Sequence, residues 1–184
     1  MSNGNYMGIY RTVNIPNSLY QSVEGRYFVG QTGFLNFGCC KNAWGALVNP
    51  SNSNVNIFVN VFTISNYSRL PFNAEIWLNS TLPDSGNSSN SVSPTNTTLN
   101  PAPCPRGKIV SAQIINGTPV NGVNVFNRII PPETTIVSEE DGKFIIPPGG
   151  NFAIFLPSPA PENIIANIAF GWWEERIRQC SCCC

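Results

Sequence analysis

The 184-residue chain contains no histidine. That removes the side chain most often used as a general base and the commonest transition-metal ligand. Charge is also scarce: charged residues make up 11%, and ten Lys+Arg balance ten Asp+Glu. Such a chain has no electrostatic footprint for nucleic acid or for an anionic membrane. Near-zero net charge favours self-association over solubility. No apolar run approaches the ~18 residues of a membrane span. Met1–Gly8 lacks the basic and then apolar pattern of a secretory signal. These lacks argue against an enzyme, a nucleic-acid partner and a membrane partner, and they imply no metal and no other cofactor.

Helical periodicity is nearly absent, whereas period-2 alternation recurs. Val55, Ile57, Val59 and Val61 fall on one face of a strand, with Asn56, Phe58, Asn60 and Phe62 on the other. Residues 72–78, 108–115, 123–130, 143–146, 151–156 and 164–173 read as further strands, with shorter ones at 27–29, 34–37 and 43–48. Asn49-Pro50, Pro83-Asp84-Ser85-Gly86, Pro131-Pro132, Asp141-Gly142 and Pro147-Pro148-Gly149-Gly150 punctuate them, because Pro fixes φ and Gly, Asn and Asp tolerate positive φ. Short strands with turns every ~8–15 residues predict an all-β fold, a jelly-roll β-sandwich of about eight to ten strands. Residues 1–17 read as an N-terminal arm, 18–177 as the sandwich and 178–184 as a cysteine-rich tail. The Ser/Asn/Thr/Pro-rich stretch 83–105 reads as a mobile loop too polar to pack.

Four of the seven cysteines, Cys180, Cys182, Cys183 and Cys184, fall in five consecutive residues. A chain of this size buries a core without disulfides, so the thiols are not needed to rescue one. Neighbouring cysteines do not pair readily, because Cα atoms ~3.8 Å apart are too close for a relaxed bridge. The tail thiols therefore need partners elsewhere, and Cys39, Cys40 and Cys104 are the only others. Seven is odd, so intramolecular pairing leaves one over. Cross-linking between copies is the preferred reading; metal binding and inert surface thiols are its alternatives. Cys39-Cys40 reads as a strand end or turn with at least one thiol facing outward.

Alternation over Trp172-Trp173 predicts one buried and one exposed indole, the latter an interface anchor or a sugar-stacking platform; a core Trp with an edge Trp covered by the N-terminal arm is preferred over the sugar site. Glu139-Glu140-Asp141 reads as a solvated hairpin tip or a salt-bridge site between subunits. A carbohydrate-binding module built on Trp172 or Trp173, and a bacteriophage capsid, decoration or fibre protein, are the competing functional readings.

Several motifs carry a resemblance: Trp44-Gly45; Glu75-Ile76-Trp77-Leu78; Ser138-Glu139-Glu140-Asp141-Gly142-Lys143 with Pro147-Pro148-Gly149-Gly150; and Phe170-Gly171-Trp172-Trp173-Glu174-Glu175. Together they resemble a family of uncharacterised proteins from spore-forming Firmicutes, over most of residues 18–175. The architecture also looks like that of endospore-appendage subunits, small jelly rolls that stack into fibres stapled by disulfides. Those subunits carry adjacent cysteines in an N-terminal connector, whereas here they stand at 180–184. The resemblance implies a structural subunit made in the mother cell without a signal peptide and exposed at the spore surface on lysis. It implies the chain itself as partner, through β-augmentation and disulfides, and a spore-coat or exosporium anchor protein as a further one.

Overall fold

A computed structural model describes residues 12–158 and 162–177. One short helix, α1 (Asn17–Val23), precedes twelve strands in two antiparallel sheets packed together. The first sheet has the order β10 (Thr135–Ile146), β4 (Val55–Asn66), β12 (Asn163–Arg176), β1 (Tyr27–Gln31) and β7 (Val92–Pro94). Within it β2 (Leu35–Gly38) also pairs with β12. The second sheet runs β6 (Asn87–Ser88), β8 (Lys108–Ile115), β3 (Asn42–Val48), β11 (Asn151–Leu156), β5 (Phe72–Leu78) and β9 (Val123–Ile130).

Pairing is nested: β1 with β12, β3 with β11, β4 with β10 and β5 with β9. A chain that pairs first with last and works inward, rolled into two facing sheets, is a jelly roll, so the expected fold class holds. The two strands beyond the expected ten are β6 and β7, both inside the polar stretch 83–105.

The inner faces meet in one core that includes Phe28, Phe37, Leu47, Ile57, Phe62, Ile76, Phe152, Ile154, Ile168 and Trp172. Burying side chains of this size contributes roughly 1.5–3 kcal/mol each, which is what holds the sheets together. A second cluster, with Trp44, Ala46, Ala112, Ala153 and Phe155, lies on the other face of β3 and β11. The segment between β5 and β9 covers it: Trp44 Nε1 donates to the Pro83 carbonyl at 3.2 Å. Burial on both faces explains why Ala43–Leu47 and Phe152–Leu156 are unbroken apolar runs rather than alternating ones.

Four local expectations are corrected. Alternation along β4 reverses at Asn60, so that Phe62 is buried and Val61 faces outward. The register there shifts, Val59 opposing Trp172 and Val61 opposing Gly171, as a bulge requires. The strand expected at 143–146 begins at Thr135, and its Glu139–Phe144 irregularity is a bulge rather than a hairpin tip. The stretch 83–105 is tied down rather than mobile: β7 pairs with β1, and Ser89 Oγ donates to the Gln31 carbonyl at 2.6 Å. Its Asn and Ser side chains also close local turns, as in Ser91 N–H to Ser89 Oγ and Thr98 N–H to Asn96 Oδ1. Finally, α1 carries no capping side chain and starts at the boundary drawn at 17/18; it docks through Gln21 Nε2, 3.0 Å from Glu175 Oε1.

Candidate functional site

Cys39 and Cys40 are the two central residues of the turn that joins β2 to β3. Gly38 and Lys41 close it with two backbone hydrogen bonds of 2.8 and 2.9 Å. Both cysteines have positive φ, 49° and 67°. Positive φ at both centre positions of a two-residue hairpin is the mark of a type I′ turn, which Asn-Gly fills without strain. Each L-residue with a Cβ in that region costs about 1–2 kcal/mol. Both cysteines are exposed, and the Cys40 N–H donates to Ser158 Oγ at 3.1 Å. The expectation of at least one outward thiol is therefore met, by both cysteines. The signal was present in the sequence: a Gly-Cys-Cys-Lys link between two short apolar runs leaves only two residues for the turn.

The hairpin stands where β12 begins, since Gly38 pairs with Asn163. From there β12 crosses the first sheet to Arg176, which pairs with Val55. At this far pole the Ile177 N–H donates to the Asn54 carbonyl at 3.2 Å. Exposed Cys104 lies here too, in a recess shared with Gly25, Arg26, Arg106, Glu174 and Arg176. No disulfide joins any two of Cys39, Cys40 and Cys104. Cys180, Cys182, Cys183 and Cys184 lie outside the described residues, as does the arm up to residue 11. The pairing of the tail thiols is thus not seen, but the pole from which the chain leaves toward them is.

Both indoles are buried, contrary to the expected division. Trp172 points into the core beside Phe28. Trp173 lies on the outer face, 4% exposed, parallel to Phe58 at 5.2 Å and stacked on Tyr27 at 6.5 Å. The β10 bulge closes over it: a Cβ on Gly142 would overlap the Trp173 ring. Neither ring is open for sugar stacking.

Glu174 follows the two indoles on β12. Its carboxylate is buried and accepts from Trp172 Nε1 at 3.0 Å, from the Gly107 N–H at 2.8 Å and from the Arg106 N–H at both oxygens. It fastens the residues just before β8, in the segment inserted between β5 and β9, to β12, a structural task. Glu140 is buried and accepts from Ser138 Oγ at 2.7 Å, whereas Glu139 and Asp141 are exposed. Among the described residues no three Cys, Asp or Glu side chains gather as a metal site would require. A recess of about 580 Å³ is a shallow trough on the outer face of the first sheet over Val29, Val61, Ala169 and Gly171. It is mostly apolar, and the hydroxyls of Thr63, Ser91 and Ser93 in its lining have no acid or base among the other lining residues.

The two flanks of the sandwich differ. On one, the inserted segment lays β7 along β1, and β8 with β6 along β3. On the other, β9 and β10 end their sheets, and no described residue pairs with their outer edges. Val123, Ile129, Val137 and Ile145 on these strands are more than half exposed. Proteins ordinarily blunt such edges with charge, Pro or a covering element. Here the charges are Arg128 on β9 and Glu139, Asp141 and Lys143 around the bulge of β10, which leaves the apolar residues toward the strand ends exposed.

These features define a jelly-roll sandwich with an inserted edge-covering segment, two exposed cysteine positions at opposite poles and no assembled catalytic group among the described residues. The chain belongs to DUF6143, a family of unknown function whose model matches residues 3–179. A search of the curated proteins gave no match.

Proposed function

We propose that this protein is a structural subunit that assembles with copies of itself into a fibre or surface layer cross-linked by disulfides. The observation that carries the reading is the open β9/β10 flank. Two strands end their sheets side by side, Phe126 of one meeting Phe144 of the other edge-to-face at 5.9 Å, with apolar side chains exposed along both. An incoming strand gains main-chain hydrogen bonds and apolar burial there. The low charge and zero net charge leave little repulsion to oppose it. The endospore surface is the setting we assign, supported by the motif resemblance to proteins of spore formers and by the logic of thiols that oxidise once the mother cell lyses. An anchor protein of the coat or exosporium belongs to the same proposal.

Electron microscopy of the concentrated full-length protein, with gels run with and without reductant, tests it. Regular filaments or sheets that resist boiling until reduced are expected, and Ile129→Lys with Val137→Lys should lower the assembled fraction several-fold. A monodisperse monomer under oxidising conditions would sink the reading.

A further inference from the structure

We infer that the cross-link runs head to tail: Cys40, or Cys39 beside it, receives a cysteine of segment 180–184 from a second copy of the chain. The inference rests on the assembly reading above and adds a direction to it.

The first support is reach. β12 comprises fourteen residues, starting beside the Cys39-Cys40 turn and ending one residue before Ile177. At ~3.3 Å per residue it separates the two poles by roughly 40 Å. The seven residues from 178 to Cys184 extend at most ~25 Å beyond Ile177. A disulfide spans only ~4–7 Å more between Cα atoms. No cysteine of the segment reaches the Cys40 of its own chain. Cys104, which shares a recess with Arg176, is within that reach. A bond to Cys104 can therefore form within one chain, whereas a bond to Cys40 must join two.

The second support is conformation. The turn holds both cysteines at positive φ on an exposed hairpin tip. Asn-Gly would hold the same turn without that strain. Backbone strain kept at an exposed position directs attention to the chemistry of the side chain.

Because the two contact surfaces lie at opposite poles, the contact is heterologous and continues from copy to copy as a polar filament unless it closes. Each bond consumes two thiols and one low-molecular-weight disulfide such as oxidised glutathione. A tail thiolate attacks that disulfide and releases one glutathione; the Cys40 thiolate then attacks the tail sulfur and releases the second. The two thiol protons end on the two reduced glutathiones, and the two electrons are taken up in the glutathione S–S bond as it breaks.

The test uses full-length chains carrying Cys104→Ser, oxidised with glutathione disulfide. The first variant adds Cys39→Ser and Cys40→Ser; the second adds Cys180→Ser, Cys182→Ser, Cys183→Ser and Cys184→Ser. The Cys104→Ser parent should give a ladder on non-reducing gels. Each variant alone should stay monomeric. Their mixture should stop at one band of twice the monomer mass, with peptide mapping joining 39–40 of the second variant to 180–184 of the first. A dimer from either variant alone would overturn the head-to-tail direction while leaving assembly standing. An intramolecular bond from segment 180–184 to Cys40 in the parent would overturn the reach argument. A parent that stays reduced and monomeric would overturn the assembly reading itself. Matching melting curves of the reduced proteins confirm that each variant is folded.

Discussion

Trp172 and Glu174, two residues apart on β12, form one buried unit: the indole N–H donates to Glu174 Oε1 at 3.0 Å. The same carboxylate holds the backbone of Arg106 and Gly107, so one side chain fixes the inserted segment to the longest strand of the sandwich. Gly107 is suited to the approach, since a Cβ there would come within 2.6 Å of Ile57 Cδ1.

Glu174→Gln keeps the shape of this unit but removes its charge and sets an NH2 group against the Arg106 N–H. Losing hydrogen bonds to a buried carboxylate costs about 1–3 kcal/mol. A chain of this size shifts its melting midpoint by about 2–4 °C per kcal/mol. The reduced variant should melt several degrees lower in calorimetry. Adding Trp172→Phe should cost less than it does in the parent, because the two share one network. Strict additivity would show that they do not act together.

Gly142→Ala tests the cover over Trp173. Its φ is +76°, and the added Cβ meets the indole and not a movable chain end. Backbone strain and overpacking together should cost at least about 2 kcal/mol, with Trp173 fluorescence shifted toward that of a solvated indole. An unchanged emission maximum would mean that the bulge does not seal the ring.

Tyr27 makes stability fall in alkali. Burial pushes its phenol above the ordinary tyrosine value, offset in part by the hydrogen bond from Asn60 Nδ2 at 2.8 Å. The unfolded chain then loses this proton before the folded one does. The stabilisation is complete below about pH 10 and is lost as pH rises through the folded-state value. Phenolate absorbance should show one of the five tyrosines titrating last, and Tyr27→Phe should remove that late phase and flatten the alkaline fall in denaturant midpoint. Titration of all five together would refute it.

Replacing Cys39-Cys40 by Asn-Gly should separate stability from cross-linking. Both replacements suit positive φ, so the reduced monomer should gain about 1–2 kcal/mol and melt a few degrees higher. The same variant should form no mixed-copy disulfide at this turn. A lower midpoint would show that the cysteines stabilise the turn themselves.

Much of the sandwich was legible locally. Residues 72–78, 108–115, 123–130 and 151–156 form strands with the expected bounds, because β-branched and aromatic runs closed by Pro, Gly and Asn leave few other conformations. The Asp141-Gly142 pair, in contrast, looked like any turn. It became a bulge because Glu139 and Phe144 both pair with β4, an element whose place beside β10 no local pattern encodes.

The sequence by itself determined most of the strands and turns and the surplus of thiols, because the former follow from steric preferences within a few residues. Only the tertiary structure decided which faces are covered and which residues meet. A one-residue bulge at Asn60 exchanges Val61 for Phe62 in the core. Glu174 finds its backbone partners Arg106 and Gly107 68 and 67 residues away. Cys39-Cys40 and Cys104 come to opposite poles because β12 runs the length of the sheet between them. Such relations depend on the register between strands distant in the chain, and register is fixed only when the two sheets bury their apolar faces together.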